Sequence, residues 1–268
     1  DGVPELIDSS WHGRYNSFAL SPHGRQLAVG SGLEIGTLGI WIKQLDRGPF
    51  TRLTFGGQDR RPEWSPDGRL VAFIRDTVGS SSVFVRPVDG SADARRLLRL
   101  DRAVQEVSWS PDGSWLVART DNGERGAGDL VGVRTSGDTT PVSLVASEFT
   151  EFHPAVSPDG RWLAYTSAES GANEVFVRPF PGTSAARWQV STGGGEQPRW
   201  STDGRELSYI NRVSSELLAV PVLGVTLLVA GLLSRFIEPA PSVLPDATDA
   251  LGVVANLLTN GSFESPDV

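Results

Sequence analysis

The stretch EWSPDGRLVAFIRD, residues 63–76, decides the fold, because altered copies of it recur along the chain. The turn serines of the five clear copies lie 44, 45, 47 and 44 residues apart, at Ser21, Ser65, Ser110, Ser157 and Ser201. A period in the forties with strand-like content is typical of propeller blades. We therefore predict that each copy forms one β-sheet of a tandem array.

The repeated Ser-Pro-Asp-Gly turn has a local physical reason. Proline presets φ for the first central position of a type I turn, Asp suits the second, and Gly accepts a positive φ at the exit. Such turns are predicted at residues 21–24, 65–68, 110–113, 157–160 and 201–204. Stepping on by the same period reaches a degenerate sixth copy at 244–247, where Leu244 replaces the serine.

Each repeat offers four strands, two flanking the turn and two that follow. In the fourth repeat the later strands are predicted at 174–180 and 187–192. We predict an all-β, six-bladed β-propeller with four-stranded blades, filling residues 1–268 as one domain. The N-terminal segment 4–10 is expected to pair with the last repeat, which closes the ring and removes the open sheet edge. Tryptophans beside the turns are expected to pack between blades: Trp64, Trp109, Trp115, Trp162 and Trp200.

Composition excludes several kinds of site and partner. The formal net charge is −8, which argues against a nucleic-acid partner. The chain has no cysteine, which excludes a disulfide framework and a cysteine-based zinc site. It also has no methionine, so we expect an N-terminus that begins after the initiator.

The repeats resemble those of a known family. The Ser-Pro-Asp-Gly-Arg-x-Leu-Ala-Tyr/Phe turns are similar to the WD40-like (PD40) repeats of TolB-like six-bladed propellers. The run at 173–210 resembles, more narrowly, the extracytoplasmic propeller tails of bacterial serine/threonine protein kinases. The resemblance implies a noncatalytic sensing or interaction module in the periplasm. The kinase half is missing, since the sequence has no Gly-rich loop, His-Arg-Asp or Asp-Phe-Gly motif.

The sequence carries no catalytic motif. Gly-x-Ser-x-Gly does not occur, and the three histidines have no metal-ligand spacing. We predict no catalytic residue, no metal and no cofactor. The residues four before each turn serine are expected near one rim of the central channel: Ser17, Arg61, Glu106, His153 and Gln197. Bonds to water and to loops alone are the alternative role for this polar ring.

The fifth repeat departs from the others in its later half. No charged residue occurs from Leu217 through Ser234, yet Pro221 would break a membrane-spanning helix. Residues 216–222 align with 174–180, proline included, so we predict a third strand and no transmembrane span. The apolar stretch that follows is expected to dock on a partner through Leu223, Val225, Leu227, Leu228, Val229, Leu232, Leu233 and Phe236. The alternative is a loop or small helix buried against the sixth blade.

These observations predict a noncatalytic extracytoplasmic scaffold propeller. We expect it to be a membrane-extrinsic subunit that docks on a membrane-protein complex, respiratory or photosynthetic, and is held at the membrane by its partners. One alternative is the sensor tail of a transmembrane serine/threonine kinase. The other is a metal-dependent propeller hydrolase or lactonase, which would need several acidic or amide ligands near the channel axis, where Glu106 is the only predicted carboxylate.

Overall fold

The computed structural model describes residues 14–32, 38–46, 48–121 and 128–222. These residues form antiparallel β-sheets, with no helix among them. The predicted strand at 4–10, the sixth turn at 244–247 and the apolar docking stretch from 223 onward lie outside the described residues.

Five sheets follow one another along the described chain, each with its strands in sequence order. Sheet 1 contains β1 (Arg14–Leu20), β2 (Gln26–Gly32), β3 (Gly39–Gln44) and β4 (Phe50–Arg52). Sheet 2 contains β5 (Gln58–Trp64), β6 (Leu70–Thr77), β7 (Ser80–Pro87) and β8 (Arg95–Leu100). Sheet 3 contains β9 (Ala103–Trp109), β10 (Trp115–Asp121), β11 (Leu130–Arg134) and β12 (Val142–Val145).

The last two described sheets keep the same plan. Sheet 4 contains β13 (Glu151–Val156), β14 (Trp162–Ser167), β15 (Glu174–Pro179) and β16 (Trp188–Gln189). Sheet 5 contains β17 (Glu196–Trp200), β18 (Glu206–Asn211) and β19 (Glu216–Pro221). The third strand predicted for the fifth repeat is therefore confirmed as β19. No described helix is long and apolar enough to cross a membrane.

The strand predicted at 187–192 is shorter in the structure, which limits β16 to Trp188–Gln189. A side chain takes over the hydrogen bonding beyond it. The Ser191 hydroxyl accepts the Val175 N–H at 2.8 Å and donates to a Glu174 carboxylate oxygen at 2.5 Å. Because this hydroxyl stands in for a ladder carbonyl, the regular strand ends before it.

The repeated turn has the predicted geometry. In the second copy the Gly68 N–H donates to the Ser65 carbonyl at 2.8 Å, and Gly68 has a φ of 70°. The Ser65 hydroxyl donates to Asp67 Oδ1 at 2.6 Å and accepts the Leu70 N–H at 2.9 Å. The bond from the Ser65 hydroxyl, followed by the bond from the Arg69 N–H, lowers the pKa of the Asp67 carboxyl. The turn is thus held by its own side chains as well as by its backbone.

The hydrophobic core lies between successive sheets. One cluster joins sheets 1 and 2, and three more join 2 to 3, 3 to 4 and 4 to 5. The predicted tryptophan contacts are present at these joints. Three indole N–H groups donate to backbone carbonyls of the preceding sheet's first strand: Trp64 to Ala19, Trp109 to Glu63 and Trp200 to Ala155. Trp115 packs edge-on against Phe180 of sheet 4, whereas Trp162 contacts Trp188 of its own sheet.

The two ends of the described array expose apolar side chains. Phe18 of β1 is 76% exposed and Leu20 is 55% exposed, although the residues at their positions in sheets 2 to 4 are buried: Pro62 and Trp64, Val107 and Trp109, Pro154 and Val156. At the other end Leu217 of β19 is 76% exposed, whereas Val83 and Val175 at the aligned positions are fully buried.

Candidate channel-mouth site

The first strand of each sheet lies on the inner side of the array. β1 contacts β5, β5 contacts β9, β9 contacts β13, and β13 contacts β17. Each first strand also carries an irregularity in its pairing with the second strand, and such β-bulges turn a side chain away from the regular pleat. The residues predicted at the channel rim lie on these first strands.

Three of the predicted rim residues have left-handed backbone conformations. The φ angles are 50° at Arg61, 53° at His153 and 55° at Gln197, and each of these residues precedes a proline. A non-glycine residue in this region costs on the order of 1–3 kcal/mol, and such strain concentrates at functional sites. Ser17 and Glu106, at the same position in sheets 1 and 3, have no positive φ.

Rim side chains link neighbouring sheets. The Ser17 hydroxyl of sheet 1 accepts the backbone N–H of Arg61 in sheet 2 at 3.0 Å. In the same way, Glu106 Oε1 of sheet 3 accepts the backbone N–H of His153 in sheet 4 at 2.8 Å. Each bond joins equivalent positions of adjacent repeats, so the rim holds the first strands in register with one another.

A cavity of about 210 Å³ opens among these strands. Four of the five predicted rim residues line it: Ser17, Arg61, Glu106 and His153. Gln197 is not among its lining residues. Glu63 and Arg199 also line the cavity, and the sequence analysis missed both. They lie two residues nearer the turn than the rim position, and the strand period of two would have placed them on the same face.

The cavity combines both signs of charge. Burial raises the pKa of the Glu63 carboxyl to about 7, against the opposing effect of the Arg199 guanidinium. Burial lowers the pKa of His153, although Glu106 and Glu196 act in the opposite direction. The Nδ1 atom of His153 is buried without a hydrogen-bond partner among the described residues. Near neutral pH the cavity therefore contains arginine cations, a mostly neutral imidazole and a half-ionised buried carboxyl.

Throughout the described ranges, no group of three or more His, Asp or Glu side chains is close enough together to hold a metal ion.

The predicted docking residues, from Leu223 to Phe236, lie in the part of the chain for which the structure gives no description. Their role stays a prediction.

Comparison with known proteins agrees on the fold. No protein-family model matches the chain. The solved structure of a TolB from Agrobacterium tumefaciens superposes with a TM-score of 0.61 at 18% identity, covering 77% of this chain and 80% of that one. The chain has a TolB-like β-propeller fold.

Two curated relatives are similar to this chain in sequence. The uncharacterized peptidase YuxL of Bacillus subtilis is 28% identical over 166 residues, which cover 49% of this chain and 25% of that protein. The chain therefore spans about a quarter of YuxL. The uncharacterized protein Atu1656 of Agrobacterium fabrum is 23% identical over 227 residues, which cover 78% of this chain and 74% of that protein. The narrower resemblance to kinase tails stays a prediction.

Proposed function

We propose that this chain is a noncatalytic interaction propeller of the periplasm, a membrane-extrinsic subunit that docks on a membrane-protein complex. In this proposal six repeats close into a ring through pairing of the two chain ends. Respiratory and photosynthetic assemblies are the classes of complex that such a subunit would serve. The chain reaches the membrane only through its partners.

The observation that carries the proposal is a long uncharged sequence that begins at an exposed leucine of β19. Leu217 is 76% exposed, while its counterparts Val83 and Val175 are fully buried. Strand β19 leads directly into an uncharged sequence that continues through Ser234. Any part of this apolar sequence that a sixth sheet does not use favours a docking role, because isolated soluble domains rarely leave large apolar surfaces uncovered.

The open faces at both ends of the array also support a sixth unit. A sheet placed between β1 and β19 would cover Phe18 and Leu20 on one side and Leu217 on the other. The degenerate turn at 244–247 lies one period after the fifth turn, as such a sheet requires. One unit between the ends would leave part of the stretch after Val222 available for a partner.

The test separates a core role of this stretch from a docking role. The double variant Leu228→Asp/Leu232→Asp is compared with Thr226→Asp, which places one charge at a hydroxyl-bearing position of the same stretch. We expect the double variant to stay folded by circular dichroism and to lose its association with native membranes, while Thr226→Asp retains it. Unfolding of the double variant would assign the stretch to the core and contradict docking.

A second candidate is the propeller of a longer peptidase. The similarity to part of YuxL, a protein named as a peptidase, favours it. The complete reading frame discriminates among the candidates. A hydrolase domain in the same frame selects the peptidase, and a kinase domain with a membrane span selects the sensor tail. A frame that encodes only a signal segment and the propeller selects the extrinsic subunit.

A metal-dependent hydrolase or lactonase is the remaining alternative. It requires a metal held by several side chains at the channel, where Glu106 is the carboxylate that the sequence predicts. Among the described residues, no group of three His, Asp or Glu side chains could hold a metal ion. Elemental analysis of the purified chain tests it. A stoichiometric divalent metal that is lost together with Glu106→Gln would favour the enzyme over the scaffold.

A further inference from the structure

The channel-mouth cavity has two solvent-exposed arginines in its lining, and Arg199 is close enough to Glu63 and His153 to affect their pKa values. Arg61 and Arg199 both line it, and neither guanidinium makes a hydrogen bond or ion pair with any described residue. Three other arginines of sheets 2 and 5 do pair with carboxylates: Arg60 with Asp76, Arg75 with Asp59 and Arg212 with Glu196, at 2.5 to 2.7 Å. In a chain whose net charge is −8, two unpaired cations in one cavity point to an anionic ligand.

The backbone fixes where the Arg61 side chain begins. Its N–H donates to the Ser17 hydroxyl at 3.0 Å, and its φ of 50° is followed directly by the buried Pro62. Glycine would adopt this conformation without steric cost, so an arginine here retains strain that its side chain must offset. A side chain placed in this way loses less conformational freedom when it binds a ligand.

The acidic neighbours limit the charge of the ligand. Glu106 also lines the cavity, but its Oε1 atom already accepts the His153 N–H. Glu63 ionises only near neutral pH because burial raises its pKa to about 7. A phosphate dianion would be repelled by both carboxyls. A single carboxylate would be held by the two guanidinium groups and would accept a further hydrogen bond from un-ionised Glu63.

We propose that the channel-mouth cavity binds one carboxylate group, from a peptide C-terminus or a small organic acid, through Arg61 and Arg199. The inference deepens the proposed binding function and rests on it. The volume of about 210 Å³ suits a carboxylate with its nearest few atoms, since pockets for larger ligands span roughly 300–1,000 Å³. The planar guanidinium fork matches a carboxylate in two-point hydrogen bonding.

The site has a defined pH response. The charged and titratable groups around Glu63 are Arg61 on its own strand, Glu106 on β9, His153 on β13 and Arg199 on β17. Un-ionised Glu63 donates to the ligand, whereas ionised Glu63 repels it. Affinity for a carboxylate therefore falls as pH rises through about 7, the pKa of Glu63. The lowered pKa of His153 keeps its imidazole mostly neutral across that range, so it does not reverse the trend.

Titration calorimetry of the full chain tests the proposal with four probes at pH 6 and pH 8. The probes are an N-acetylated tripeptide with a free C-terminus, the same tripeptide amidated, propionate and inorganic phosphate. We expect binding of the free-acid tripeptide at pH 6, weaker binding at pH 8 and none of the amide. Propionate that binds as tightly as the tripeptide identifies a small acid as the source, and a preference for the tripeptide identifies a peptide end.

Matched variants locate the site. Arg61→Gln and Arg199→Gln are each expected to weaken binding about tenfold or more. Arg205→Gln, in the exposed fifth turn, is the control and is expected to leave affinity unchanged. Glu63→Gln is expected to remove the loss of affinity between pH 6 and pH 8. If Arg61→Gln does not fold, Arg199→Gln carries the test.

Four results would each overturn the proposal. They are equal binding of the acid and amide tripeptides, tighter binding of phosphate than of the carboxylate probes, no binding of either carboxylate at pH 6, and an Arg199→Gln affinity equal to that of Arg205→Gln. The proposed membrane docking rests on residues after Val222 and does not require Arg61 or Arg199. Failure here is therefore distinguishable from failure of the docking function.

Discussion

Equivalent residues are buried at the joints between sheets and exposed at the two ends of the described array. Trp64 of β5 is 5% exposed because sheet 1 covers it, and its indole donates to the Ala19 carbonyl at 3.0 Å. Leu20 has the same position on β1 and is 55% exposed. Each repeat thus carries an apolar face that only its neighbour can bury. Stability in such arrays belongs to the contacts between units as much as to the units themselves.

The largest expected effect is at a joint. Trp64→Ala removes a buried side chain shared by sheets 1 and 2 and leaves the Ala19 carbonyl without its indole donor. We expect a loss of about 3–5 kcal/mol in the free energy of unfolding, measured by urea titration. The control is Val78→Ala at a fully exposed hairpin tip, with a change within about 0.5 kcal/mol. Equal losses of unfolding free energy in the two variants would contradict the distinction between buried joint residues and exposed surface residues.

The substitution Phe18→Ala tests whether a sixth unit covers the first sheet of the array. With a sixth unit against β1, the substitution creates a cavity and costs about 2–4 kcal/mol in the same titration. Without one, an aromatic that is 76% exposed contributes little, and the change stays within about 0.5 kcal/mol. The proposed ring predicts the first result, and the second contradicts it.

A buried carboxyl at the joint of sheets 3 and 4 predicts a pH dependence. Glu151 is 1% exposed, and burial, with Asp129 and Glu169 nearby, raises its pKa from 4.5 to about 7. The folded state therefore keeps a proton that the unfolded state loses above about pH 4.5. Its stabilising effect is complete below that pH and is lost as pH rises through about 7, on the order of 2–3 kcal/mol by pH 8.

Glu151→Gln tests this dependence directly. The variant amide still accepts from Ser147 and cannot ionise, so its free energy of unfolding should fall less between pH 5 and pH 8 than that of the natural chain. Glu148→Gln, at an exposed position three residues earlier, is the control and should follow the natural chain. Parallel curves for all three proteins would show that Glu151 ionises freely in the folded state.

The smallest expected effect is a difference in stability between serine variants of two copies of the same turn. Ser110 is 1% exposed, and its hydroxyl accepts the Trp115 N–H at 2.9 Å. Ser201 makes the equivalent bond to the Glu206 N–H at 2.9 Å in the more exposed turn of sheet 5. Ser110→Ala should cost about 1–2 kcal/mol and Ser201→Ala about half as much. Thermal unfolding of both variants would contradict this ranking if Ser201→Ala lost more.

Local signals were sufficient for the repeat but not for the site. The turn at 65–68 and strand β19 were predictable, because turn chemistry and the aligned Pro221 act within a few residues. The bond between the Arg61 N–H and the Ser17 hydroxyl joins two sheets, and no local pattern encodes that contact. The period of two along β5 is a local signal that would have placed Glu63 at the rim, but the raised pKa of Glu63 comes from burial and depends on strands distant in sequence.

The measurement that tests the closed ring of repeats most directly is native-state hydrogen exchange over residues 243–256, followed by mass spectrometry. If these residues form a sixth sheet between β1 and β19, their amides should exchange at least roughly a hundredfold more slowly than in an unstructured peptide. Peptides from β9 and β10 provide the protected reference in the same sample. Exchange of 243–256 at the unstructured rate, with β9 and β10 still protected, would contradict the ring.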